Sequence, residues 1–401
     1  MEQFMEQTYI IKSETLVKLS DDISKAVKLI KKCISEKRPI LIRHHADADG
    51  YCSGVALEKA ITPLIHATHE RERDAWFAYS RKPNMAPYYS YEDANKDLAF
   101  FLGDKGNYEY KKPLVIIVDN GSSDEDVLAL KKLKIYNITT IVIDHHPISS
   151  AVKELIDVHV NPHSVGSTYD FSAGMLCAEV GKLLNPSLDG TEFIASVSAY
   201  ADKVKSDEKD EYLKICLTNG YSEDFIKNVA ETLDFEAHNI GFADSRQLMD
   251  DFFGKDPLKQ KQIVGMLKEV VERKKAEAFV SVKKYSHISR TEKMNIVLIP
   301  MGLISIRGEF PNYGKIVGMM HDYVTNEEKK PTISLGISDS MITLRGTADS
   351  TLDVTDIVKT AKQRFPYAQI NGGGHKKAGS LRFIPAASEE VKEFVLSKIR
   401  E

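Results

Sequence analysis

The residues best suited to chemistry in this chain collect where apolar runs stop. Ile40-Leu41-Ile42 leads into His44-His45-Ala46-Asp47-Ala48-Asp49-Gly50, Leu114–Val118 into Asp119-Asn120-Gly121, and Ile141-Val142-Ile143 into Asp144-His145-His146-Pro147. Carboxylates mixed with imidazoles suit an octahedral divalent cation of intermediate hardness, manganese above all, better than calcium or a closed zinc site. Such ligands around one crevice can hold two cations roughly 3.5–4 Å apart, an arrangement that activates water and stabilises both oxygens of a phosphoryl displacement. The chemistry expected is metal-dependent attack on a phosphate.

His45, Asp47 and Asp49 alternate, so on an extended segment their side chains face one way, and Gly50 then lets the chain turn. An EF-hand calcium loop fails as a rival, because Tyr51 and Cys52 stand where an oxygen ligand and a glycine belong. Asp119 by itself reads as an Asx turn at a strand end; in the company of the other clusters it is expected to be a ligand. The chain has no G-x-x-x-x-G-K-[ST], G-x-S-x-G or H-E-x-x-H motif, so other common hydrolytic machinery is excluded.

Near the C-terminus, Gly372-Gly373-Gly374-His375-Lys376-Lys377 would present backbone N–H groups beside positive charge, a natural phosphate cradle. Arg345, at the end of an expected strand, suits a bidentate phosphate contact and a surface ion pair equally well. Tyr88, Tyr89 and Tyr91 are candidates to stack bases, with an aromatic surface loop the commoner case. Lys376, Lys377 and Arg382 are candidates to follow a phosphate backbone. The remaining histidines read as surface or core residues.

Positioning these groups requires a sheet whose strands end together, since ligands of open α/β sheets bind beyond the carboxyl ends of the strands. Besides the run leading to His44, strand-like runs lie at 114–118, 139–143 and 156–160. Helical patterns lie at 20–36, after Gly50, and at 124–133, 171–184 and 191–203. This alternation predicts an α/β domain, a mostly parallel sheet flanked by helices, with 81–112 a long excursion between strands. Residues 206–284 are helical in pattern and charged, ending in a helix from Pro257 to about Tyr285 that carries Arg273-Lys274-Lys275. Strands at 294–299, 331–337 and 340–345, with helices at 312–321, 352–364 and 388–399, predict a smaller mixed α/β domain. The expected division is 1–205 catalytic, 206–285 helical connector and 286–401 substrate-binding.

The 401 residues exceed one ordinary domain, and 42% hydrophobic with 28% charged residues is the composition of a folded chain. Four scattered cysteines with no C-x-x-C pair fit a reducing compartment. The net charge of −4 lends nucleic-acid binding no support, so any positive groove must be local. No apolar run approaches the roughly 18 residues of a membrane span, and a cytoplasmic location is expected.

His45-Ala46-Asp47-Ala48-Asp49-Gly50, Asp119, Asp144-His145-His146 and Gly372-Gly373-Gly374-His375 together resemble, in order, the motifs of the DHH phosphoesterase superfamily with its DHH-associated C-terminal domain. Within it the chain is similar to archaeal RecJ-like nucleases, over roughly 37–205 and 290–385. Asn161-Pro162 and Ser172-Ala173-Gly174 resemble the segment that follows Asp-His-His in RecJ-like members. The resemblance implies a further metal ligand, Asp202. One cation would be held by His45, Asp47 and Asp119, and a second by Asp49, Asp119, His145 and Asp202. Asp144 and His146 would orient ligands or contact the scissile phosphate, while Arg345, Gly372, Gly373, Gly374 and His375 would grip phosphates. His45 departs from bacterial RecJ, which has Asp there.

The resemblance thus implies a two-metal exonuclease on single-stranded DNA or RNA, with Mn2+ preferred over Mg2+ or Co2+, 3′–5′ polarity favoured and a replication or repair helicase as partner. A phosphodiesterase for short oligonucleotides or cyclic dinucleotides is the alternative within the same fold. A scaffold of a replication complex is the alternative of another class.

Overall fold

The computed structural model describes residues 9–84, 86–103, 111–240, 246–304 and 308–400. The chain divides into two compact units, Met1–Lys268 and Glu269–Glu401. The helices of 206–268 fall in the first unit by that division. The physical reason is packing: the helices Asp207–Thr218 and Glu223–Ile240 both lie against the helix Thr191–Ala201.

The first unit is built on a five-stranded parallel sheet: β1 (Ile40–His44), β2 (Tyr79–Pro83), β3 (Leu114–Val118), β4 (Thr139–Ile143) and β5 (Val158–Val160), in spatial order β2-β1-β3-β4-β5. Every residue of β1 and β3 is buried, as expected for strands covered on both faces. On one face Leu41, Val115, Ile117 and Val142 pack with Leu98, Phe101 and Leu130. The order places a topological switch between β1 and β3, because the chain leaves β1 toward β2 and returns on the other side to β3.

The interval 81–112 is more ordered than expected. It holds the end of β2 and the helix Tyr91–Gly103, while residues 85 and 104–110 lie outside the described set. β2 escaped the periodicity because Arg81, fully buried, sits within it, held by Glu58 at 2.6 Å and His44 at 3.1 Å.

The second unit carries a six-stranded mixed sheet: β6 (His287–Arg290), β7 (Asn295–Pro300), β8 (Thr332–Ile337), β9 (Met341–Gly346), β10 (Asn371–His375) and β11 (Ala378–Arg382), in order β10-β11-β9-β8-β7-β6. Only the β7–β8 pair is parallel. The helices Val354–Arg364 and Ser388–Arg400 add Val354, Ile357, Val391 and Val395 to the core formed with Leu335, Ile342 and Leu344. The glycine run, expected as a cradle-forming loop, is strand β10. A Cβ at Gly372 or Gly374 would stand 2.1 Å from the Ser380 carbonyl oxygen or 2.5 Å from that of Ala378, and both glycines have positive φ. Close backbone approach in the hairpin requires them.

Candidate metal-dependent active site

Register puts the polar clusters side by side. His44 pairs with Val118, Val118 with Ile143 and Ile143 with Val160, so His45, Asp119, Asp144 and Asn161 are each the first residue beyond one row. The Asp119 N–H donates to the Ile143 carbonyl at 3.0 Å, and the Asp144 N–H to that of Val160 at 3.1 Å. Asp119 then adopts φ 58°, a left-handed conformation that Asp tolerates at some cost and that marks functional sites when fixed by its surroundings.

The first cluster converges for a different reason than alternation. The chain does not stay extended to Asp49: Asp47 is the N-cap of the helix Ala48–Thr68, accepting the Gly50 N–H on Oδ1 at 2.9 Å. Its Oδ2 is left 2.8 Å from His45 Nδ1, which also stands 3.5 Å from Asp119 Oδ2. Gly50 serves close approach, since a Cβ there would lie 2.2 Å from the His45 carbonyl oxygen. Asp49, in the first turn of that helix, is anchored at the N-terminus of the helix Ala173–Leu184. It accepts the Ala173 N–H at 3.0 Å, the Gly174 N–H at 2.9 Å and the Ser198 hydroxyl. A carboxylate is at home there, where helical N–H groups lack internal partners.

His145 links the parts. Its Nε2 is 3.3 Å from Asp119 and 3.8 Å from Asp49, and its Nδ1 is 3.5 Å from Asp202, the C-cap of the helix Thr191–Ala201. Asp144 Oδ1 accepts the N–H groups of His145 and His146 and lies 2.8 Å from His146 Nδ1. The Asn161 side chain donates to the His146 carbonyl at 2.9 Å and to Ser122 Oγ at 3.2 Å, steadying that turn.

Within the first unit, two sets of side chains place ligand atoms within 4.8 Å of one another: His45, Asp47, Asp119, and Asp119, Asp144, His145, His146. Asp119 belongs to both. The residues fit a pair of divalent cations on two further grounds. Asp119 Oδ2 and Asp144 Oδ2 are buried without a well-formed hydrogen bond, and the donors are the hard oxygens and borderline nitrogens that such ions take. The direction of the pKa shifts is consistent with the same deficit. Asp49 is driven well above the ordinary carboxylate range by burial, then by Asp119 and Asp202. Burial opposes charge on His145, yet Asp202, Asp119 and Asp49 outweigh it and hold the imidazole well above its ordinary value. Acids that repel one another while imidazoles retain protons describe a site short of positive charge.

In the second unit, β-register aligns His375, Ala378, Arg345 and Ser334 in one row. No carboxylate pairs with Arg345 among the described residues. Its guanidinium lies over Gly318, where a Cβ would meet Nη1 at 3.1 Å. Lys377 donates instead to the carbonyls of Ser350 and Leu352, and Lys376 stands 3.5 Å from Asp353, so neither ammonium is committed to phosphate. Tyr89 is fully buried with its hydroxyl on Asp97, which rules out base stacking by that ring; Tyr91 is exposed.

Sequence reading passed over Ser198. Its signal was its position four residues before Asp202, on the same helical face. His159 and His163 also prove close to the site, His159 at 3.0 Å from Ser122 and His163 bonded to the His145 backbone.

Residues 39–201 match the DHH family, N-terminal domain. A solved DHH domain of a member of the s1p family of ribosomal proteins is 33% identical, spans 98% of this chain and 93% of its own, and superposes with a TM-score of 0.92. An uncharacterized protein of Methanocaldococcus jannaschii is 32% identical over 96% of this chain and 54% of its own length, so the chain spans about half of that curated relative. RecJ of Thermus thermophilus, in complex with Mn2+, shares the fold at a TM-score of 0.62 and 15% identity, over 95% of this chain and 55% of its own. With Asp144-His145-His146 seated inside the matched region and a solved domain one-third identical along nearly the whole chain, the chain belongs to the DHH family and has a RecJ-like fold.

Proposed function

We propose that this chain is a manganese-dependent exonuclease that hydrolyses phosphodiester bonds of single-stranded DNA or RNA, with 3′–5′ polarity. The observation that carries this reading is Asp119: a buried carboxylate shared by two ligand sets, one oxygen lacking a well-formed hydrogen bond. In this reading His45, Asp47 and Asp119 hold one cation, and Asp49, Asp119, His145 and Asp202 the other. Two bound divalent cations supply an activated water and offset the negative charge by which a phosphodiester resists attack. Asp144 holds His146 by Nδ1, and that imidazole, about one-third exposed, contacts the scissile phosphate. Arg345, His375 and the glycines of β10 bind substrate phosphates. A replication or repair setting in the cytoplasm, with a helicase partner, is the cellular context this reading implies. No helix among the described residues is long and apolar enough to cross a membrane.

The test is hydrolysis of end-labelled single-stranded DNA and RNA of graded length with Mn2+, products resolved by size. Stepwise shortening of long strands from the 3′ end is expected. Cleavage confined to dimers through pentamers overturns the exonuclease reading in favour of a short-oligonucleotide phosphodiesterase. No cleavage of any length with Mn2+, Mg2+ or Co2+ overturns both.

A further inference from the structure

The first unit carries a second groove, remote from the metal ligands. Phe193, near the start of the helix Thr191–Ala201, stacks on Tyr221 at 4.2 Å between centroids and 18° between planes. Phe225 lies nearly parallel to Tyr221, 12° between planes. Phe193 is buried, whereas Tyr221 and Phe225 are half-buried and open onto a cavity of about 260 Å³ that Asn228 also lines. Across it runs the helix Pro257–Tyr285, presenting Lys261, Gly265 and Lys268. Spacings of four and seven residues put these three on one helical face. No acidic side chain pairs with Lys261 or Lys268 among the described residues.

Gly265 has no internal explanation. It occupies a helix interior, where only proline is less favourable, and a Cβ there would meet nothing within 4 Å. What glycine secures is an open groove floor between two ammonium groups and facing aromatic rings. Unpaired cations call for an anionic occupant. Half-exposed rings nearly parallel to one another call for a flat one. The cavity admits a base-sized group rather than a whole drug-sized ligand, which takes roughly 300–1,000 Å³.

We propose that Tyr221, Phe225, Lys261 and Lys268 form an accessory docking groove for single-stranded nucleic acid, taking a base against the rings and phosphates on the lysines. The inference rests on the reading of the chain as a single-strand nuclease and adds where a longer strand is held. Phe193 and Asp202 are separated by most of one helix, roughly 14 Å along its axis at 1.5 Å per residue. A dinucleotide cleaved at the metal ligands does not reach the groove; a longer strand does.

The experiment uses the full chain with a labelled oligothymidylate of about 20 nucleotides, bound in chelator and followed by fluorescence anisotropy. Turnover of a thymidine dinucleotide with Mn2+ is measured in parallel. The double variant Lys261→Ala/Lys268→Ala should bind the long strand about ten-fold more weakly, with a salt dependence shallower by about 1.4 in log–log slope. Dinucleotide turnover should not change. Gly265→Phe should fill the groove and weaken binding similarly, while Gly265→Ala should raise the melting temperature by a few degrees. Undiminished long-strand affinity in the double variant and in Gly265→Phe overturns the groove and leaves the nuclease reading standing. A wild-type chain that neither binds the long strand nor cuts the dinucleotide overturns the nuclease reading itself, and the groove with it.

Discussion

Two buried charged centres flank the carboxyl end of β1, and they are built on opposite rules. In one, Arg43 is enclosed by Asp97 on Nε at 2.8 Å and on Nη2 at 2.5 Å, by Asp93 at 3.3 Å and by the Pro83 carbonyl at 2.9 Å. The Tyr89 hydroxyl caps the same Asp97 carboxylate at 2.9 Å. Hydrogen-bonding capacity is filled there, although one guanidinium faces two carboxylates. In the other centre, two residues along the chain, His45, Asp47, Asp49, Asp119, His145 and Asp202 crowd together with carboxylates in excess and Asp119 Oδ2 left without a well-formed hydrogen bond. Nothing in the fold requires the second arrangement, since packing alone would favour apolar residues at those positions. The difference teaches which buried charges serve the fold and which await something from outside it.

Substitution should separate the two centres in opposite directions. Asp119→Ala should reduce Mn2+-dependent hydrolysis by more than about 10³-fold, a loss on the scale seen when residues acting as a unit are broken. The melting temperature of the metal-free variant should match or exceed the wild type, because a buried carboxylate repelled by its neighbours has been removed. If hydrolysis survives at the wild-type rate, the excess charge has another purpose. Arg43→Leu should do the reverse. Leaving Asp93 and Asp97 buried without their cation should cost about 3–5 kcal/mol in urea unfolding. A loss under 1 kcal/mol would place the Arg43 centre among the dispensable polar contacts.

The same contrast explains what could be read from the residues alone. β3 and β4 emerge with their observed boundaries because Leu114–Val118 and Thr139–Ile143 are continuous β-branched or aliphatic runs, nearly all buried. Their register then brings Asp119 and Asp144 together, so the centre of the site was legible wherever a strand pointed at it. β2 was not legible, because Arg81 looks like a surface residue until Glu58 and His44 are found beside it. Nor was the conformation of His45–Asp49: Asp47 caps a helix, so cap geometry rather than alternation brings these side chains toward Asp119 and His145. β10 was hidden for the opposite reason, as its glycines read as freedom where backbone contact with β11 demands them. What a linear pattern omits in each case is the neighbour that makes an unusual residue necessary.

Ser198 shows that omission at its smallest scale. Its hydroxyl donates to Asp49 and contacts Ser172, and a Cβ at Gly174 would fall 2.5 Å from its oxygen, so the three positions form one tight cradle. Asp49 is pressed by burial and by Asp119 and Asp202 toward taking a proton, and each hydrogen bond it accepts works against that pressure. Ser198→Ala removes one such bond and leaves the two helical N–H groups in place. Mn2+ affinity, read by isothermal titration calorimetry, should fall about 10–100-fold, the usual effect of losing a partner that orients a ligand. Metal-free stability should barely move, since only one oxygen atom is removed and Asp49 then takes up its proton more readily. An unchanged affinity would show that the two N–H groups alone fix the carboxylate, leaving this edge of the cation site as self-sufficient as the Arg43 centre.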